Sequence, residues 1–247
     1  MIALFTDFGP AGPYIGQMKA VLARMAPGIP VVDLLSDAPK FDARASSYLL
    51  AALATDFPAG TVFLAVVDPG VGSNRDPLVV RAAERWFAGP DNGLFDGVIR
   101  RAGEAAAWRI TYRPERLSAS FHGRDLFAPV AAMIATGEAV PGETVSAEAV
   151  RRGEWPDDLA EIIYVDNFGN AMTGMRAAKL RADAVFEAVG RRIPRAAVFS
   201  DVAPGAAFWY ENANGLAEIA VNQGRADRLG LKIGVKIAVS SAREASS

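Results

Sequence analysis

Two rhythms of apolar and polar residues run along this chain. As far as Ala135, short apolar runs closed by turn formers alternate with stretches of helical period. Ile2 to Phe5 predicts a buried strand. Tyr14 to Met25 places Ile15, Met18, Val21, Leu22 and Met25 on one helical face, and Pro27, Gly28 and Pro30 end that helix. Val31 to Leu35 predicts a second strand, and Asp42 caps a helix running to Ala54. Phe57-Pro58-Ala59-Gly60 turns the chain into a third strand, Val62 to Val67. This β-α-β-α-β order predicts a parallel sheet with helices on its faces.

Strands are expected next at Leu78 to Ala82 and Arg85 to Ala88. They are followed by a turn at Gly89-Pro90-Asp91-Asn92-Gly93, a helix near Leu94 to Arg101 and a strand around Trp108 to Thr111. Leu126 to Ala135 reads as a helix that holds Pro129 in its first turn, where proline is tolerated. From Thr136 to Leu159 no period persists, and a domain boundary is expected there. Beyond it the rhythm is that of strands: Ile162 to Val165, Ala184 to Val189, Ala196 to Phe199, Ala206 to Tyr210, Leu216 to Val221 and Val235 to Val239. The expected fold class is α/β, with a parallel-sheet α/β domain over residues 1–150 and a smaller, barrel-like all-β domain over 159–247. The last residues, Ala242 to Ser247, are expected to fray.

Composition removes several classes of function. The 247 residues are 51% hydrophobic and 22% charged with net charge −2, so neither nucleic acid nor an anionic membrane is an expected partner. There is no cysteine, which excludes disulfides, thiolate nucleophiles and zinc–thiolate sites. The N-terminus reads as a first strand and not a signal peptide, and no apolar run reaches the ~20 residues of a membrane span, so the expected location is cytoplasmic. A single histidine, His122, must serve any histidine chemistry.

The candidate chemistry clusters at strand ends, where parallel α/β sheets bind ligands. Asp7 ends the first strand. Asp68-Pro69-Gly70-Val71-Gly72 ends the third, with Arg75 seven residues after the aspartate. His122 sits between Phe121 and Gly123 at a loop-to-helix junction beside Arg124 and Asp125. In the second domain Asp166-Asn167-Phe168-Gly169-Asn170 is either a hairpin turn or a surface that packs an aromatic ring while reading a polar edge. Phe208-Trp209-Tyr210 reads as core, and Asn212-Ala213-Asn214-Gly215 as a turn. Turn chemistry accounts for Asp91 and Asn92. No complete dinucleotide fingerprint, Walker loop or nucleophile elbow is present.

Together these segments occur in the order found in one family. Thr6-Asp7-Phe8-Gly9, Val67 to Gly72 with Arg75, Gly89 to Gly93, Ser120-Phe121-His122-Gly123-Arg124-Asp125, Asp166 to Asn170 and Leu216 to Asn222 resemble the S-adenosyl-L-methionine (SAM) hydroxide adenosyltransferases. These are SAM hydrolases related to the fluorinase and chlorinase. The resemblance implies attack of water on the ribose C5′ of SAM, releasing adenosine and L-methionine, with no metal or cofactor. It places the catalytic trio on Asp68, Arg75 and His122, and does not say which of them touches the water. It further implies that Asp7 binds the ribose hydroxyls, Phe121 lines the ribose pocket and Asp166 binds the methionine amino group. Phe168 and Asn170 would contact adenine, with help from backbone near Asn222. The assembly implied is a homotrimer whose sites lie between subunits.

The halogenating relatives carry a tyrosine in place of Asp68 and, where halide binds, a serine in place of Gly123. They have a serine and an arginine at Ala213 and Asn214, and an aromatic residue at Met172. Three other readings compete: a SAM-dependent halogenase, a metal-dependent nucleoside or phosphoester hydrolase built on Asp7, Asp68, Asp91 and Asp125, and a non-catalytic adenosine- or SAM-binding protein.

Overall fold

A computed structural model describes residues 1–241; the expected fraying of Ala242 to Ser247 lies outside the described residues. The chain divides into two compact units, 1–154 and 155–247.

In the first unit, seven strands form one sheet: β1 (Ile2–Thr6), β2 (Val31–Leu35), β3 (Val62–Val66), β4 (Pro77–Ala82), β5 (Arg85–Pro90), β6 (Ala105–Ile110) and β7 (Gly142–Val145). Their order is β2-β1-β3-β5-β4-β6-β7. The pairs β1–β2, β1–β3 and β3–β5 are parallel, whereas β4–β5, β4–β6 and β6–β7 are antiparallel. The sheet is therefore mixed: the expected parallel pairing holds among β2, β1, β3 and β5, and the parallel-sheet expectation is corrected at the far half. The reason is local: Arg85 follows Ala82 across a two-residue turn, Ala83 and Glu84, both at positive φ, so β4 and β5 form a hairpin that leaves no room for a crossover.

The helices are α1 (Tyr14–Met25), α2 (Ala43–Leu53), α3 (Asp96–Arg101) and α4 (Ala128–Ala135). Asp42 caps α2 as expected, its side chain accepting from the Ala45 N–H at 2.9 Å. A π-helical turn, Gly123–Phe127, precedes α4, whose Pro129 lies in the first turn and has no N–H to give the preceding turn. Ile2, Leu4, Val62, Leu64 and Val66 pack with Met18 and Leu22 of α1 and with Val130 and Ala131 of α4. Ala3, Phe5, Phe63 and Ala65, which alternate with them, are equally buried, so β1 and β3 are covered on both faces. The chain crosses from β1 to β2 through α1 and from β2 back past β1 to β3 through α2, connections for which the right-handed sense is the rule. The direction of winding thus reverses between β1 and β3, and this switch point is where such sheets leave a crevice at their carboxyl ends.

The second unit holds β8 (Leu159–Val165), β9 (Ala171–Arg176), β10 (Ala184–Ala188), β11 (Arg191–Ile193), β12 (Ala207–Glu211), β13 (Leu216–Val221) and β14 (Ala238–Ser241). They make two antiparallel sheets, β12-β13-β9-β8 and β11-β10-β14. The barrel-like expectation is corrected here, because the described strands form separate sheets that do not close. Phe186 stacks on Trp209 at 4.6 Å between the sheets, which share one core. Ala196 to Phe199 is not a strand, and the chain makes a tight turn at Phe199–Asp201 instead. The strand β9 escaped the sequence reading. Among the described residues no helix is long and apolar enough to cross a membrane.

Candidate active site

Asp7 and Asp68 leave the sheet side by side, one just past β1 and the other just past the adjacent β3. The loop after β3 is held down from below, where the Asn92 side-chain amide donates to the Val67 carbonyl at 2.7 Å. Gly72 takes φ +80°, and a Cβ there would lie 2.8 Å from the Ala119 carbonyl oxygen. Only glycine lets this loop bend and also press against the segment that carries His122.

That approach brings the three expected catalytic residues together. Arg75 grips Asp68 with both arms of its fork: Nε donates to Oδ1 at 2.7 Å and Nη2 donates to Oδ2. The same Nη2 lies 3.2 Å from His122 Nδ1. An arginine is always a donor, so Nδ1 accepts from it, and the neutral ring carries its proton on Nε2. The Asp68 and Arg75 side chains are only 4% and 9% exposed, and the guanidinium also lies 5.3 Å from the centre of the Phe127 ring. Burial, and after it the Arg75 charge, hold the His122 pKa below its ordinary value, so the imidazole is neutral at neutral pH.

Around the trio stands an aromatic wall. Phe121 meets Phe8 at 5.9 Å and Tyr14 at 5.2 Å, ring centre to ring centre. A Cβ on Gly123 would come within 3.3 Å of Met18 Sδ and of the Phe121 ring, so a serine there would have to push its neighbours aside. Asp7 is raised by burial, an effect partly offset by the Phe41 backbone N–H, which donates to Oδ2 at 3.0 Å. Phe41 itself sits at φ +59° and is 75% exposed. A bulky residue in that conformation is strained, and such strain gathers at functional sites. Sequence reasoning missed Phe41, because nothing in Ala38-Pro39-Lys40-Phe41-Asp42 announces a left-handed phenylalanine.

The four carboxylates of the metal-dependent reading do not form a cluster. Asp68 belongs to Arg75, Asp91 pairs with Arg152 at 2.9 Å and Asp125 pairs with Arg124 at 2.6 Å. Among the described residues no group of three or more metal-ligating side chains is assembled.

The second unit carries a cavity of about 710 Å³ lined by Asp166, Phe168, Asn170, Met172 and Tyr210 among others. Asp166 accepts from the Asn170 backbone N–H at 2.8 Å and its side-chain amide at 3.2 Å, which fixes both residues on the turn between β8 and β9. Phe168 projects from that turn, 77% exposed. Asn222 is not brought to this cavity: its side chain donates to the Val202 carbonyl at 2.7 Å, while its neighbours Gln223 and Gly224 line the wall. Of Phe208-Trp209-Tyr210, the first two are buried core and Tyr210 reaches the cavity. Its hydroxyl donates to Glu218, whose other oxygen accepts from the Asn212 amide at 2.7 Å. Burial pushes the Glu218 carboxyl up, these two hydrogen bonds pull it down, and the charge of Asp166 pushes it up again.

An open α/β sheet with an aspartate–arginine–histidine constellation at its switch point, joined to an antiparallel unit with an amphipathic cavity, defines an α/β enzyme that acts on a small molecule. Residues 2–143 match the N-terminal domain of the SAM hydroxide adenosyltransferases and residues 160–238 match their C-terminal domain, and the chain belongs to that family. It is 39% identical to an (R)-S-adenosyl-L-methionine hydrolase of Thermus thermophilus, over 96% of this chain and 98% of that protein. A fluorinase of Nocardia brasiliensis is more distant, 25% identical over 97% of this chain and 96% of its own. The crystal structure of an uncharacterized conserved protein from Thermotoga maritima superposes with a TM-score of 0.87 at 31% identity, covering 97% of this chain and 99% of that one.

Proposed function

We propose that this protein hydrolyses S-adenosyl-L-methionine to adenosine and L-methionine, and that Asp68, Arg75 and His122 activate the water. The observation that carries the reading is the assembly of these three residues in hydrogen-bonding contact at the switch point. The water oxygen bonds to the ribose C5′ as the C5′–S bond breaks. The bonding pair passes to sulfur and discharges the sulfonium, so the leaving group is a neutral thioether that needs no acid. The difficulty lies in the nucleophile, which must lose a proton. Asp68 takes that proton and passes it to solvent, while the Arg75 guanidinium and the His122 Nε2–H hold the oxygen as its charge grows. This assignment of roles follows from the histidine tautomer that Arg75 dictates. General base assistance of this kind contributes ~10²–10⁴-fold, and alignment of the water with the C5′–S bond adds to it.

In the same reading Asp7 receives the ribose hydroxyls and Phe121 lines the ribose. Asp166 takes the methionine amino group, Phe168 and Asn170 contact adenine, and the backbone near Asn222 contributes through Gln223 and Gly224. The reaction requires neither metal nor cofactor. The protein works in the cytoplasm as a homotrimer, for which light scattering should return three times the 26.1 kDa chain mass.

The deciding experiment is turnover of SAM in oxygen-labelled water. Adenosine carrying one labelled oxygen, at the 5′ position, is expected. A 5′-halo-adenosine formed in halide buffer would move the protein to the halogenase branch, loss of turnover on chelation would favour the metal-dependent reading, and tight binding without turnover would leave a SAM-binding protein.

A further inference from the structure

The cavity of the second unit contains a carboxylate that the proposed reaction does not use. Glu218 lies on β13 between Tyr210 of β12 and Met172 of β9, and is 2% exposed. Both of its oxygens are fixed, one by the Tyr210 hydroxyl and one by the Asn212 amide. Asn212 is itself pinned, its Oδ1 accepting from the backbone N–H groups of Asn214 and Leu216, each at 3.0 Å. This is a rigid mounting for a buried acid, and it faces the cavity that Asp166 also faces. The two acids are close enough for the charge of Asp166 to oppose ionisation of Glu218.

Two carboxylates bordering one cavity repel each other, and a cation between them relieves that repulsion. Among the residues lining the cavity the cations are Arg225, which feels the charge of Asp166, and Arg228. Arg225 is spent on Asp227 at 2.7 Å and on the Asn167 carbonyl at 2.8 Å, while Arg228 stands exposed at the border. The cavity thus has an anionic floor with an exposed cationic group, Arg228, at its edge. That pattern suits an amino acid, whose positive charge would lie deep and whose carboxylate would lie near the surface.

We propose that Glu218, mounted by Tyr210 and Asn212, is a specificity residue that receives the positive charge carried by the methionine half of the substrate. The proposal rests on the SAM reading above and adds a second acid to Asp166. It carries a kinetic signature. The ammonium keeps its charge through hydrolysis, so a carboxylate that holds it binds substrate and transition state alike, and its loss raises KM with kcat unchanged. The sulfonium is discharged in the reaction, so loss of a carboxylate that holds it raises KM and lets kcat rise with it.

The test is Glu218→Gln, measured with SAM, with S-adenosyl-L-homocysteine (which lacks the sulfonium charge but keeps the ammonium) and with 5′-methylthioadenosine (which lacks both). The expected result is a KM for SAM raised about tenfold or more, a kcat that falls by no more than about threefold, and a methylthioadenosine affinity unchanged within about twofold. Homocysteine-analogue binding weakened in parallel with SAM assigns the charge to the ammonium, and binding that is spared assigns it to the sulfonium; either supports the proposal. Equal weakening of SAM and methylthioadenosine, or no change in either, overturns it. Should Glu218→Gln fail to fold, Tyr210→Phe keeps the carboxylate and should keep the preference for SAM over methylthioadenosine; loss of that preference would count against the proposal. A parent protein that binds SAM without turning it over would defeat the hydrolase reading alone, because dissociation constants would still decide the role of Glu218.

Discussion

Asp68 and Arg75 form an ion pair with almost no contact with water, and this changes how the pair should be mutated. Truncating one partner strands a buried charge, which costs about 3–5 kcal/mol. Asp68→Ala should therefore lower the melting temperature markedly as well as abolish turnover, and thermal unfolding measures the first effect. Asp68→Asn keeps the shape and is the cleaner probe; its turnover should fall ~10²–10⁴-fold. His122→Ala should lose activity by a similar factor with less effect on stability, because the ring is only half-buried. The histidine also shapes the pH profile. Its pKa is lowered from 6.5, so the neutral ring persists below that pH. Turnover should stay level as pH falls to 6.5 and decline only below it, when a proton on Nδ1 would face Arg75. The stability the neutral ring contributes has the same sign: it is fully present above 6.5 and lost as pH falls through the lower folded value. A decline that begins well above pH 6.5 would contradict this.

The loop from Asp68 to Arg75 depends on one backbone position. Gly72→Ala would have to hold φ +80° and place a methyl carbon 2.8 Å from the Ala119 carbonyl oxygen. The left-handed conformation alone costs about 1–2 kcal/mol. The loop should relieve the clash by moving Arg75 away from His122, so activity should drop further than stability, and parallel melting and kinetic measurements separate the two. Elements with strong periodicity were legible in the sequence: the spacing of Ile15, Met18 and Leu22 marked α1 to its ends, and Asp42 marked the start of α2. Elements without it were not. The strand β7 is four residues long, partly exposed and carries Gly142, Glu143 and Thr144, so it shows no apolar alternation and is recognised only through its pairing with β6. Likewise β9, Ala171–Arg176, contains Thr173 and Gly174 inside the core, where Thr173 is satisfied by the Ala217 carbonyl at 2.7 Å.

Each of the two units has its own core, one built on the mixed sheet and one around Phe186 and Trp209. A fragment of residues 1–154 should therefore unfold cooperatively by itself, reported by the fluorescence of Trp86 and Trp108, whose rings lie 5.6 Å apart. It should show no SAM turnover, because Asp166, Phe168 and Asn170 are absent; activity in that fragment would remove the second unit from the proposed site. At this scale the chain's own residues determined the β-α-β-α-β start, the α-to-β change of texture along the chain and the placing of Asp7 and Asp68 at strand ends. Local periodicity and turn chemistry suffice for those features. Three things were decided by the tertiary structure alone. The β4–β5 hairpin turned half of the sheet antiparallel, Asn222 was committed to Val202, and Tyr210 and Asn212 were gathered around Glu218. The first depends on the left-handed backbone of Ala83 and Glu84, the second on a contact twenty residues away in sequence, and the third on the register of the β12–β13 hairpin, none of which residue type alone encodes. The Asp68–Arg75–His122 trio falls between the two cases: its members could be named from the chain, but only the close approach of Gly72 to Ala119 puts the histidine within reach of the pair.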